Sequence, residues 1–299
     1  MQWSAALEEK ASNPRAFGGC YGSAAFGMEG DGARAHGLDF TRIVTRGARQ
    51  IVSGGQLCVA KGELQNAASA FQIVLGDDPN NVPALLGQAC VDFNTAENEE
   101  QYKKAMDLYK SSLELYKRAL LAYPNCPAAV RLGIGLCRYR LGQFEKARQA
   151  FERVLQANLS FTSHLDPENV EALVALGIMD LQTNEDHGVR GGMEDMRRAF
   201  EIHPYCSMAL NHLANHYFFT GQHFLVEQLT EAALAATNHG LMKSHSYYNL
   251  ARSYHSKGDF EKAARYYMAS VKEIKKPQDF ILPYYGVCFG SFFCGNDFL

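Results

Sequence analysis

AAVRLGIGLCRYRLGQFEKARQAFERVLQ, residues 128–156, decides the fold. Stepped in threes and fours, it reads as two amphipathic helices joined at a glycine. Val130, Ile134, Cys137 and Leu141 line one face of the first helix, and Phe144, Ala147, Phe151, Val154 and Leu155 one face of the second. Gly142 falls between them, where the chain must leave the right-handed region and only glycine does so without steric cost. Gly135 and Ala147 are small enough for the two backbones to approach closely, and Phe151 fills the space they leave. The stretch predicts a helical hairpin.

The same order recurs along the chain. Cys58, Gly62, Leu64, Ala67, Phe71 and Val74 repeat the series from Cys137 to Val154, and Asp78-Pro79-Asn80-Asn81 closes that unit. Its first helix is expected to be weak, because Ser53, Gly54 and Gly55 all disfavour helix. The next unit runs from VPALLGQACVDF (82–93) to LYKRALLAYPNC (115–126); residues 95–114 exceed the period and, being charged but helix-favouring, are expected to extend its second helix. A second insertion, 157–164, displaces the LDP at 165–167. Later units carry Leu176 and Gly177; then Leu213, Ala214, Tyr217, Gly221, Val226 and Ala233; then Tyr247, Leu250, Ala251, Tyr254, Gly258, Phe260, Ala263 and Tyr267. Recurrence at about 34 residues resembles the tetratricopeptide repeat. That resemblance predicts an all-α chain: a right-handed superhelical solenoid of stacked hairpins with a concave inner face. Three segments follow. Residues 1–47, rich in Gly and Ala without periodicity, are expected to be disordered. Residues 48–277 make about six hairpins, and 278–299 an incomplete repeat with an irregular, exposed apolar tail.

Composition removes several function classes. A net charge of −3 and a pI near 6.4 supply no basic surplus for nucleic acid. No apolar run reaches the roughly 18 residues that a membrane span needs. Eight cysteines include no CxxC pair, and no basic-then-apolar leader opens the chain, so reduced thiols in an intracellular compartment are expected. His212 and His216 have the i, i+4 spacing of metal ligands, but HLANH lacks the glutamate of zinc peptidases. Gly133-Ile134-Gly135 lies inside a helix rather than after a strand, and neither GxSxG nor GxxxxGK[ST] occurs. No catalytic, cofactor-binding or metal-binding residue is assigned.

With normal stacking, one wall of the groove carries Tyr139 and Arg140, then Asn211, Asn215, Phe218 and Phe219, then His245, Tyr248, Arg252 and His255. Aromatic rings beside Arg and Asn suit a helical or extended peptide better than a small metabolite. The competing reading has some of these rings packing between neighbouring repeats. Asn215 and Asn249 also fall at two places resembling the carboxylate clamp of chaperone-binding tetratricopeptide domains, without that clamp's basic partners.

CPAAVRLGIGLCRYRLGQFEKARQAF, LDPENVEALVALGIMDLQ, LANHYFFTGQHFLVEQL and KSHSYYNLARSYHSKGDFEKAARYY go beyond the repeat consensus. They resemble the tetratricopeptide scaffold subunit of the RNA polymerase II-associated factor (PAF) complex over about residues 56–285. The resemblance implies a non-enzymatic nuclear scaffold that gathers the other PAF subunits, accompanies RNA polymerase II in elongation and supports co-transcriptional histone modification. Cofactors, direct nucleic-acid contacts and membrane contacts are not expected. Family members are much longer, so the chain reads as a truncated or misassembled fragment. The alternative is a generic tetratricopeptide adaptor or cochaperone holding peptide segments in its groove.

Overall fold

The computed structural model describes residues 46–99, 101–156, 168–183, 186–274 and 280–294. Residues 1–45 and the 157–164 insertion therefore lie outside the described part. Thirteen helices and no strands fill the described residues, in two compact units. The first holds α1 (Arg46–Ala60), α2 (Leu64–Asp77), α3 (Val82–Asn98), α4 (Tyr102–Ala122), α5 (Ala128–Arg140) and α6 (Phe144–Leu155). The second holds α7 (Val170–Leu181), α8 (Asp186–Ile202), α9 (Ser207–Phe219), α10 (His223–Ala236), α11 (Gly240–Ser256), α12 (Phe260–Lys272) and α13 (Leu282–Cys294). Within each unit consecutive helices pair as antiparallel hairpins, and each hairpin packs on the next. The described residues make an all-α array of stacked hairpins.

One turn is used four times. Gly142 sits at φ +72°, and the Gly142 and Gln143 amides donate back to the Tyr139 and Arg138 carbonyls at 3.0 and 2.9 Å. This pair of hydrogen bonds satisfies carbonyls that a helix end would otherwise strand. Gly62, Gly221 and Gly258 repeat it at φ +78°, +74° and +81°. The α3–α4 turn has no such glycine. There the 95–114 stretch is shared between both helices, α3 running to Asn98 and α4 starting at Tyr102, so the extension is not confined to the second helix.

The core follows from small residues facing rings. Phe71 on α2 is fully buried between Gly55 of α1 and Gly87 of α3, and a Cβ at either glycine would strike its ring. Gly133 stands likewise under Tyr116, Gly135 under Phe151, and Gly286 under Tyr267. In α7–α8 two glycines meet directly: a Cβ on Gly192 would run into the Gly177 carbonyl. Gly55 corrects the expectation of a weak first helix. α1 is helical through Ser53, Gly54 and Gly55, and the missing side chain at 55 is what admits Phe71. The propensity penalty is small beside the burial of a whole phenyl ring. α13 also differs from the expected irregular tail, remaining helical through residues 291–294.

Helix starts are fixed by side chains. Asn81 Oδ1 accepts from the Ala84 amide at 3.2 Å, and Asn169 Oδ1 from the Ala172 amide at 2.9 Å. Both asparagines end an Asp-Pro-x-Asn run before a valine, a cap signature that serves two repeats.

Candidate partner-binding site

In the second unit α9 and α11 lie side by side, and the polar residues between them form a ladder. Asn211 starts it. Its Oδ1 accepts from Ser246 Oγ at 2.9 Å, and its Nδ2 donates to the Met242 carbonyl at 3.3 Å. Asn249 Nδ2 donates to the Asn211 carbonyl at 3.2 Å, and Asn249 Oδ1 accepts from Arg252 Nη2 at 2.6 Å. The same Nη2 reaches Asn215 Oδ1 at 2.7 Å. Asn211 and Asn215 are one turn apart on α9, as Asn249 and Arg252 are on α11, so helical spacing aligns each pair and the packing of α9 on α11 brings the four together.

Rings enclose the guanidinium. Its carbon lies 4.3 Å from the Phe218 centroid, 4.7 Å from Tyr248 and 5.6 Å from Phe219, within cation–π range of all three. Arg252 is 9% exposed and Tyr248 6%, whereas Phe219 is 60% exposed at the end of α9. Burial lowers the Arg252 pKa from its ordinary value and raises that of Tyr248. Glu227 of α10 forms an ion pair with Lys257 of α11.

The structure thus gathers Asn211, Asn215, Phe218, Phe219, Tyr248 and Arg252 into one cluster. His245 and His255, read on the same wall, are drawn into packing. His245 stacks on Phe280 at 4.1 Å, and His255 meets Phe260 and Tyr267 edge-on. Tyr139 and Arg140 lie in the first unit, apart from this cluster in the chain, and both pack there. Tyr139 is buried and edge-on to Phe144. Arg140 Nη2 pairs with Glu97 Oε2 at 2.8 Å, and Glu97 Oε1 accepts from Tyr109 Oη at 2.6 Å. Sequence reasoning missed Phe280, which is buried against Tyr248. It lies in a connecting segment, where no periodicity marks it.

No catalytic arrangement is visible among the described side chains. Burial pushes the Cys90 thiol up to about 11 and Cys137 up to about 12, so both stay protonated and unreactive at neutral pH. Among the described residues no group of three or more His, Cys, Asp or Glu could hold a metal ion.

The tetratricopeptide repeat family matches at residues 102–159, 132–185 and 244–276. An Arabidopsis thaliana protein, Protein CTR9 homolog, is 64% identical over 240 residues, covering 79% of this chain and 20% of that protein. RNA polymerase-associated protein CTR9 of Caenorhabditis elegans is 29% identical over 204 residues, covering 67% of this chain and 16% of that protein. The chain therefore spans a fifth or less of the length of these curated relatives. Among solved structures, the APC/C hetero-tetramer Cut9–Hcn1 superposes with a TM-score of 0.63 at 13% identity, over 81% of this chain and 42% of that one. That likeness is one of fold.

Proposed function

We propose, from the premise that this is a tetratricopeptide-repeat chain related to CTR9 proteins, that it is a non-enzymatic interaction scaffold of the PAF complex. The observation that carries the reading is the 64% identity over 240 residues, far more than shared repeat packing requires. The name of the nematode relative, an RNA polymerase-associated protein, supports polymerase association in the nucleus. In this reading the chain gathers other PAF subunits, accompanies elongating RNA polymerase II and supports co-transcriptional histone modification. Partner segments lie against the α9–α11 cluster, where Phe218 and Phe219 offer ring surface and Arg252 a fixed cation. Asn249 is committed at both ends of its amide and Asn215 accepts from Arg252, which disfavours the cochaperone-type clamp.

The test is affinity capture of the tagged full chain from plant nuclei, beside a tetratricopeptide control of similar length. Recovery of PAF subunits and RNA polymerase II with the chain alone is the expected result. Equal recovery with the control, or chaperone recovery without PAF subunits, would overturn the reading.

A further inference from the structure

We propose that Arg252 is the seat of an aspartate or glutamate side chain presented by a partner's acidic segment, with Phe219 gripping an apolar residue beside it. This deepens the scaffold reading and rests on it.

The guanidinium is nine-tenths buried, yet no carboxylate among the described residues pairs with it. Its two acceptors are neutral amides, both on Nη2, and Nε has no hydrogen-bond partner. Amide oxygens and ring faces orient a cation without neutralising it. A buried charge without its counter-ion retains most of its desolvation cost, so a ligand bringing negative charge gains more here than at an exposed arginine. The other buried arginine discussed above, Arg140, differs in that Glu97 already supplies its anion.

Two features favour a protein carboxylate over a small anion. The Asn211–Asn249–Arg252 ladder fixes the guanidinium before anything binds, so little freedom is lost when a carboxylate settles beside the charge. Beside it Phe219 leaves most of its ring in solvent while its edge rests on Phe218 at 5.5 Å between centroids. A cation flanked by an exposed ring matches an acidic residue with an apolar neighbour.

The experiment pans a phage library of random twelve-residue peptides on the immobilised full chain. Enriched peptides should carry Asp or Glu next to an apolar residue. Replacing that acid by its amide in the synthetic peptide should weaken binding at least about tenfold. Arg252→Met should do the same, and Arg252→Lys should restore part of the affinity, with weakening by salt seen only for the acidic peptide. Because Arg252→Met could loosen the ladder, Phe219→Ser at the exposed rim is the second variant. It should weaken binding with the helical circular dichroism unchanged. Enriched peptides with no acidic preference, or an amide version binding equally well, would overturn the carboxylate seat and leave the scaffold reading intact. A chain that enriches nothing also overturns the seat, and the nuclear capture then judges the scaffold reading separately.

Discussion

Gly135 and Gly142 stand on one helix and its exit and carry different burdens. Gly135 makes room for Phe151, so Gly135→Leu should cost roughly 1–3 kcal/mol by overpacking. Gly142 holds a left-handed turn in open space, so Gly142→Ala should cost about 1–2 kcal/mol through backbone strain alone. Gly54 faces open space in a regular helix, and Gly54→Ala should be stabilising by about 0.4–1 kcal/mol. Circular dichroism melts check the order, and a Gly135→Leu melt matching wild type would break the assigned packing. Asp92 makes a pH prediction. Burial raises its pKa despite hydrogen bonds from Gln88 Nε2 at 2.7 Å and Ser111 Oγ at 2.6 Å. A carboxyl with a raised folded pKa binds protons more tightly folded than unfolded. Its stability contribution is therefore complete below the unfolded pKa and declines as pH rises through the folded one. Asp92→Asn should raise the melting temperature at pH 7, and the gain should shrink towards pH 4. A gain that grew on acidification would contradict this. At this scale the sequence exposed hinges and small-residue crossings, which are local. Arg140 with Glu97 was not legible, because the partners lie 43 residues apart and nothing local pairs them.

Helices here begin and end by rule, which is why hairpins could be read from one chain. Asn81 is the clearest start: buried, it caps α3 through the Ala84 amide and donates to Asp78 Oδ2 at 3.3 Å. Asn81→Ala should cost about 1 kcal/mol, and Asn81→Ser should retain most of the cap, whereas Asn81→Asp would set a second carboxylate against Asp78. Hydrogen exchange at the α3 N-terminus is the check, with faster exchange expected in the alanine variant only. Unchanged protection in that variant would mean that Pro83 and packing suffice. Element existence was legible wherever a Gly hinge and an apolar stripe coincided, as at α5–α6 and α11–α12. Reading failed where tertiary packing overrode propensity. α1 survives its glycines because Phe71 needs them, and that need is visible only once α2 and α3 are in place. The α9–α11 cluster was half legible. Helical spacing placed Asn215, Phe218 and Arg252 on facing surfaces, but nothing in it foretold that Asn211 and Asn249 would bind each other's helix.

For the molecule as a whole, the account turns on whether a PAF partner uses the α9–α11 cluster. Most of the cluster is structural, so the informative variants are those at its open rim. Phe218→Ala with Phe219→Ala removes ring surface while leaving the Asn211–Asn249–Arg252 bonds in place. An outer-helix control must avoid Glu227, whose pair with Lys257 ties α10 to α11. Glu194, in a weak exposed pair with Arg197 at 3.8 Å, serves instead. The decisive measurement is a calorimetric titration of the full chain against each recombinant PAF subunit, repeated with the double variant and with Glu194→Ala. The account predicts saturable binding of at least one subunit, unchanged by Glu194→Ala and weakened about thirtyfold (about 2 kcal/mol) in a double variant that still melts like wild type. Binding by no subunit, or equal affinity in that folded double variant, would contradict it.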